Sequence, residues 1–171
     1  MERATNTFKI GNETFERIGD LEWFEGALIS LFAEQTSGDL FLLHWVDVQG
    51  DFHRWLLYPV SHRALQLYLE GKLTNEDLLW LNNPAIVRIV DMNGDMNFNK
   101  VETKKVTDLP KEYLPTAESY FDAELCLNLP KINRYLENSA AQKNIRLYPH
   151  LTERSLQVAE NGPTYGQSPA D

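Results

Sequence analysis

With Cys126 as its lone cysteine, the 171-residue chain can form no internal disulfide and no zinc site built on several thiolates, a usage compatible with a reducing cytosol. No stretch approaches the roughly 18–20 consecutive apolar residues that a membrane-spanning helix needs. The first ten residues carry no apolar run, so a secretory signal is not expected. Basic residues are scarce in one region in particular. Between positions 11 and 50 only Arg17 stands against Glu13, Glu16, Asp20, Glu22, Glu25, Glu34, Asp39 and Asp47, and the whole chain carries a formal charge of −9. A phosphate backbone requires a positive footprint, so direct nucleic-acid binding is not expected. The glycine-rich phosphate loops, the dinucleotide fingerprint and the nucleophile elbow are also missing, as are internal repeats.

What is present is β-patterned sequence rich in aromatics. "F-K-I-G-N-E-T-F" sets Gly11-Asn12 between two short runs and predicts a small hairpin. "G-A-L-I-S-L-F-A-E", "D-L-F-L-L-H-W-V-D-V" and "F-H-R-W-L-L-Y-P-V" predict three strands whose short polar links require antiparallel neighbours. Pro59 lacks an amide donor and belongs at a strand end or edge. Ser61 and Thr74 are N-caps for two short helices, the first closed by Gly71. "A-I-V-R-I-V" and "F-N-K-V-E-T" then form a second hairpin about Asn93-Gly94. The expected class is α+β: a mainly antiparallel sheet, made of a three-stranded meander plus a hairpin, with two short helices. Residues 8–124 form that domain. Residues 125–171 are an irregular or short-helical extension, with candidate helices at "I-N-R-Y-L-E-N" and "L-T-E-R-S-L-Q-V-A" and a disordered end after Glu160.

Three segments carry a resemblance: Gly38 to Asp47, read as "G-x-L-F-L-x-x-W-V-D"; Trp55 to Ser61, read as "W-L-x-x-P-V-S"; and Glu112 to Phe121, read as "E-Y-L-P-x-x-x-S-Y-F". In this order they resemble an uncharacterised bacterial domain family, over about two thirds of the chain. The resemblance implies a shared α+β fold and a bacterial, cytoplasmic setting. It brings no catalytic residue with it.

Four constellations carry candidate chemistry. With Gln49-Gly50 as a two-residue turn, Val46 faces His53 and His44 faces Trp55, which sets His44, Asp51 and His53 on one side of the sheet. Two imidazoles and a carboxylate are a metal-ligand list, and a metal-dependent hydrolase follows from it. Leu40, Leu42, Val46 and Leu57 share that side, however, so packing against the core is the stronger reading, and neither a cofactor nor convergence on one ion is expected. The other side sets Trp45 opposite Arg54 and Asp47 opposite Phe52, a cross-strand cation–π pair beside an acid. "D-M-N-G-D-M-N-F-N-K-V-E" has acids and amides at calcium-loop spacing but Met96 where the loop needs glycine. "G-D-L-E-W-F-E-G" gathers Asp20, Glu22 and Glu25 around Trp23 and Phe24 with no nucleophile beside them, an acidic aromatic loop leading into a strand. Together these favour a non-catalytic protein-binding or regulatory module. Its contact residues are Glu22, Trp23, Phe24, Glu25, Trp45, Asp47 and Arg54, and its partner has a basic surface. An acidic inhibitor or immunity-type protein covering a basic site would present the same face.

Overall fold

A computed structural model describes residues 6–93 and 98–147. Among them, strands β1 (Thr7–Ile10), β2 (Glu13–Trp23), β3 (Ala27–Glu34), β4 (Leu40–Gln49), β5 (Phe52–Val60), β6 (Ile86–Met92) and β7 (Phe98–Lys105) form one sheet in sequence order. Each strand is antiparallel to its neighbours. Helices α1 (His62–Leu69) and α2 (Asn75–Trp80) separate β5 from β6, and α3 (Leu129–Leu147) follows β7. The fold combines helices with an antiparallel sheet as expected, but a three-stranded meander plus a hairpin understates the sheet. The helical excursion returns the chain beside β5, so the second hairpin continues the first meander. At the other end, the strand that begins at Glu13 runs on to Trp23, through the first part of residues 19–26, where the acids suggested a loop. Its register shifts between Arg17 and Gly19, between Asp20 and Glu22, and between Glu22 and Trp23, which breaks the period-2 signal.

The local signals for the helices act as read. Ser61 Oγ accepts the Ala64 amide at 3.1 Å. Thr74 Oγ1 accepts the Asp77 amide at 3.1 Å while Asp77 accepts the Thr74 amide at 2.8 Å, a reciprocal box that satisfies two otherwise orphaned donors. Pro59 is the penultimate residue of β5, beyond Leu57, the last β5 residue paired with β6, so no ladder bond is forfeited. The segment after β7 staples onto the helices and strands through its aromatics: Tyr113 is buried, and Phe121 meets Tyr68 edge-on at 5.4 Å.

The sheet is curled into a half-barrel. β2 and β6 are four strand spacings apart, about 19 Å if the sheet were flat. Yet Arg88 on β6 makes an ion pair with Glu13 on β2, and its guanidinium lies over the rings of Phe15 and Phe41. Inside the curl pack Phe8, Phe15, Phe32, Leu43, Leu57 and Val90. Burying each such side chain contributes about 1.5–3 kcal/mol. The reverse face carries Ile29, Leu42, Leu56 and Tyr58, also buried; one residue along a strand changes the face.

By compactness the chain divides into a unit ending at Asn133 and a second beginning at Arg134. The first therefore extends past Glu124. The Trp23 amide donates to Leu125 O at 2.9 Å, the Leu127 amide donates to Asp20 O at 3.0 Å, and Ile132 is fully buried. A Cβ on Gly19 would lie 2.8 Å from Ile132 Cγ1, closer than packed carbons allow. Gly19→Ala is accordingly expected to lower stability by about 1–3 kcal/mol. Combining it with Ile132→Ala, which removes the clashing atoms, should cost less than the sum of the two single changes in urea denaturation; strict additivity would refute the contact. The candidate helix at 151–159, the tail beyond Glu160 and Gly94 of the expected Asn93-Gly94 turn lie outside the described residues.

Candidate functional site

The open end of the half-barrel, where the β2–β3 and β4–β5 connections meet the end of β6, encloses a cavity of about 480 Å³. This falls within the roughly 300–1,000 Å³ of pockets that bury small ligands. Three tryptophans line it: Trp23 at the end of β2, Trp45 on β4, and Trp55 directly opposite Trp45 on β5. Leu28 and Met92 add aliphatic and thioether surface. Phe24 reaches the cavity from the β2–β3 turn and is 67% exposed, the most exposed large apolar side chain among the described residues.

The turn itself is held in an uncommon conformation. The Phe24 amide donates to Gly26 O at 2.9 Å, and Glu25 between them has φ of +53°. Glutamate is disfavoured there relative to glycine or asparagine, and the turn nevertheless places a carboxylate beside the cavity. Arg17 also lines the cavity, but its charge is matched locally: Nη1 donates to Asp20 at 2.7 Å, and the guanidinium lies 5.4 Å from the centre of the Phe32 ring. Asp20 also accepts from Ser30 Oγ at 2.5 Å. His53 receives the Trp45 indole N–H on Nδ1 at 2.9 Å, so the proton of the neutral ring resides on Nε2.

The register corrects the expected side assignments. Gly50, with φ of +61°, and Asp51 form the two central residues of the turn, so Gln49 pairs with Phe52 and Val48 with His53. A bulge at Val46 then shifts the register, so that Trp45 meets Trp55 and His44 meets Leu56. His44 therefore faces the side opposite His53, and Asp51 is exposed in the turn. His44, Asp51 and His53 do not share one side. Among the described residues no cluster of three His, Cys, Asp or Glu is arranged to hold a metal.

Arg54 is likewise not opposite Trp45. It pairs with Asp47 and projects to the reverse face, where Nε and Nη2 donate to the two carboxylate oxygens of Asp91 at 2.8 and 3.0 Å. Its Nη1 donates to Tyr113 Oη at 3.1 Å, and that hydroxyl donates to Asp47 at 3.0 Å. Asp91, the first residue of the calcium-like spacing, is thus the partner of Arg54. Glu22 has also turned away from the cavity: the β2 bulges pair it with Ile29, and burial together with nearby Asp122 raises its pKa.

Of the expected contact residues, Trp23, Phe24, Glu25 and Trp45 converge on the cavity, while Glu22, Asp47 and Arg54 do not line it. Trp55, His53 and Arg17 were not assigned there; the signal for Trp55 and His53 was the Gly50-Asp51 dipeptide, whose glycine suits the first central position of a hairpin turn. Cys126 donates to Asp20 O at 3.4 Å, and burial pushes its thiol up to about 11, away from thiolate chemistry. No described helix is long and apolar enough to cross a membrane. No family model, curated protein or solved structure matches the chain.

Proposed function

We propose that the chain is a non-catalytic binding module that receives a group of a protein partner in the cavity at the open end of the half-barrel. The observation that carries this reading is the convergence of Trp23, Phe24, Glu25 and Trp45, from two separate parts of the chain, around one largely apolar cavity. Exposed aromatic surface of this kind is enriched at binding hot spots. The reactive side chains nearby already have structural work: His53 accepts from Trp45, and Arg17 is matched by Asp20. The acidic stretch from Glu13 to Asp47 favours a partner with a basic surface, and the reading keeps the bacterial, cytoplasmic setting and the family kinship implied by the three sequence segments.

The test is competitive capture with the full chain, followed by binding kinetics on the protein captured. Trp23→Ala is expected to raise the dissociation rate at least ten-fold, because it removes desolvated contact area. Glu25→Lys should mainly lower the association rate and flatten its salt dependence. Trp80→Ser on α2, exposed but not lining the cavity, should leave both rates unchanged. If the Trp80 variant loses the partner while the Trp23 and Glu25 variants retain it, the contact surface lies elsewhere and the proposal fails.

A further inference from the structure

Resting on the reading that a partner group enters this cavity, we infer that the group is a fully alkylated ammonium, such as a trimethylammonium, carried on a flexible stem. Three indoles and Phe24 surround the space, and the negative face of an aromatic ring attracts a cation, tryptophan most strongly. The local charge has the matching sign and size. Arg17 is neutralised by Asp20, which leaves the Glu25 carboxylate as the uncompensated charge among the described lining residues, suited to a single positive charge. That carboxylate is held at the cavity by a turn whose φ of +53° favours glycine or asparagine over glutamate.

Alkylation of the nitrogen follows from the hydrogen-bonding inventory. A guanidinium or a primary ammonium brings several N–H donors, and each donor buried without an acceptor carries a desolvation penalty. The aromatic walls offer no strong acceptor, and among the described lining side chains only the Glu25 carboxylate and the Asn93 amide supply one, against the five N–H donors of a guanidinium. The indole N–H of Trp45 is itself a donor, and it occupies the Nδ1 lone pair of His53, whose remaining ring nitrogen then carries a hydrogen. Trp23, Trp55, Leu28 and Met92 contribute no strong side-chain acceptor. A quaternary nitrogen has no N–H to satisfy and presents methyl groups to the rings, so it keeps the cation–π attraction without that penalty. The cavity volume of about 480 Å³ also leaves room for a stem beyond the head group.

Titration of the full chain with choline tests the inference. The background is Trp80→Phe, since Trp80 is the one tryptophan of the four that does not line the cavity. Choline is expected to change the indole emission saturably and to bind at least ten-fold, about 1.4 kcal/mol, more tightly than its uncharged isostere in which carbon replaces nitrogen. Glu25→Gln should weaken choline about three- to ten-fold and leave the isostere unaffected, while Trp23→Leu should weaken both. Thermal unfolding of each variant separates loss of fold from loss of binding. N-acetyl trimethyllysine amide in a parallel titration identifies the source: tighter binding than choline points to a modified partner side chain, weaker binding to a free small molecule, and either outcome supports the shared chemistry.

Equal affinity for choline and its isostere overturns the inference and leaves an apolar binding cavity intact. Preference for methylguanidinium over choline overturns it in favour of an arginine side chain. No saturable change with any probe overturns it as well, and the partner-capture kinetics then decide separately whether the face binds a protein.

Discussion

Arg54→Met is expected to lower stability by about 2–4 kcal/mol in urea denaturation near neutral pH, although the residue lies on a strand beside the cavity and does not line it. The magnitude follows from what remains behind. Asp91 receives two of the guanidinium hydrogen bonds, and its side chain is only 11% exposed against 24% for Arg54. Removing one partner of a buried pair typically costs about 3–5 kcal/mol, because the remaining charge is left without compensation; the residual exposure of Arg54 places this case toward the lower end. One further group loses a partner: the Tyr113 hydroxyl accepts from Arg54 and also donates to Asp47, tying the 3-10 turn Lys111–Tyr113 to β4 and β5. The pair with Asp91 and the bond to Tyr113 raise the Arg54 pKa further, so the guanidinium stays charged throughout the working range.

The corresponding double variant, Arg54→Met with Asp91→Leu, removes both charges and supplies apolar volume. It is expected to be more stable than Arg54→Met alone, with a coupling energy of at least about 1.5 kcal/mol, since replacing a buried pair by packed apolar groups is far less damaging than leaving half of it. Additive losses would show that Arg54 and Asp91 act independently and that the hydrogen-bond geometry has no energetic counterpart.

This network also marks the limit of what the sequence disclosed. The strands from Ala27 onward, the two helix caps and the β1–β2 hairpin were legible because each rests on local chemistry: alternating apolar residues, a hydroxyl before a helix, a glycine in a turn. The faces of β4 and β5 were not, because they depend on long-range register. Reading the turn one residue too early displaced the pairing, and a bulge at Val46, which carries no compositional signature, changed the side of everything beyond it. His53 was consequently grouped with His44, and Arg54 with Trp45. Trp23, Phe24, Glu25 and Trp45, which line the cavity, could still be singled out because large aromatics and acids outside a plausible core are informative without any register. Their convergence could not be read, since it requires the sheet to curl until the end of β2 approaches Trp45 on β4 and His53 and Trp55 on β5.

His44 supplies the second large expected effect, a loss of stability of about 2 kcal/mol between about pH 7.5 and pH 5 that its replacement by leucine removes. The ring projects between buried Ile29 and Leu56, its register partners on β3 and β5, and its buried Nδ1 has no hydrogen-bond partner among the described residues. Desolvation disfavours the charged imidazolium and lowers the pKa from 6.5 to about 4. The unfolded chain therefore takes up a proton first as the pH falls. This contribution is fully present above the unfolded value of 6.5, diminishes as the pH drops, and is exhausted below about 4, where both states are protonated. Complete protonation corresponds to about 3 kcal/mol, of which about 2 is reached by pH 5.

Two carboxylates bracket the effect without reproducing it. Glu34, held down to about 2 by the Ser37 and Thr36 amides, loses its contribution only as the pH falls from 4.5 toward 2. Glu22, raised by burial, works in the opposite sense and favours the folded state as the pH falls. Denaturation series at about pH 7.5, 6.5 and 5 for the parent and His44→Leu should diverge in slope even where packing changes offset them vertically, and the His44 ring resonance should titrate with a midpoint near 4. Parallel stability curves, or a His44 midpoint near 6.5, would show that the ring is solvated and that its place on the reverse face of the sheet is wrong.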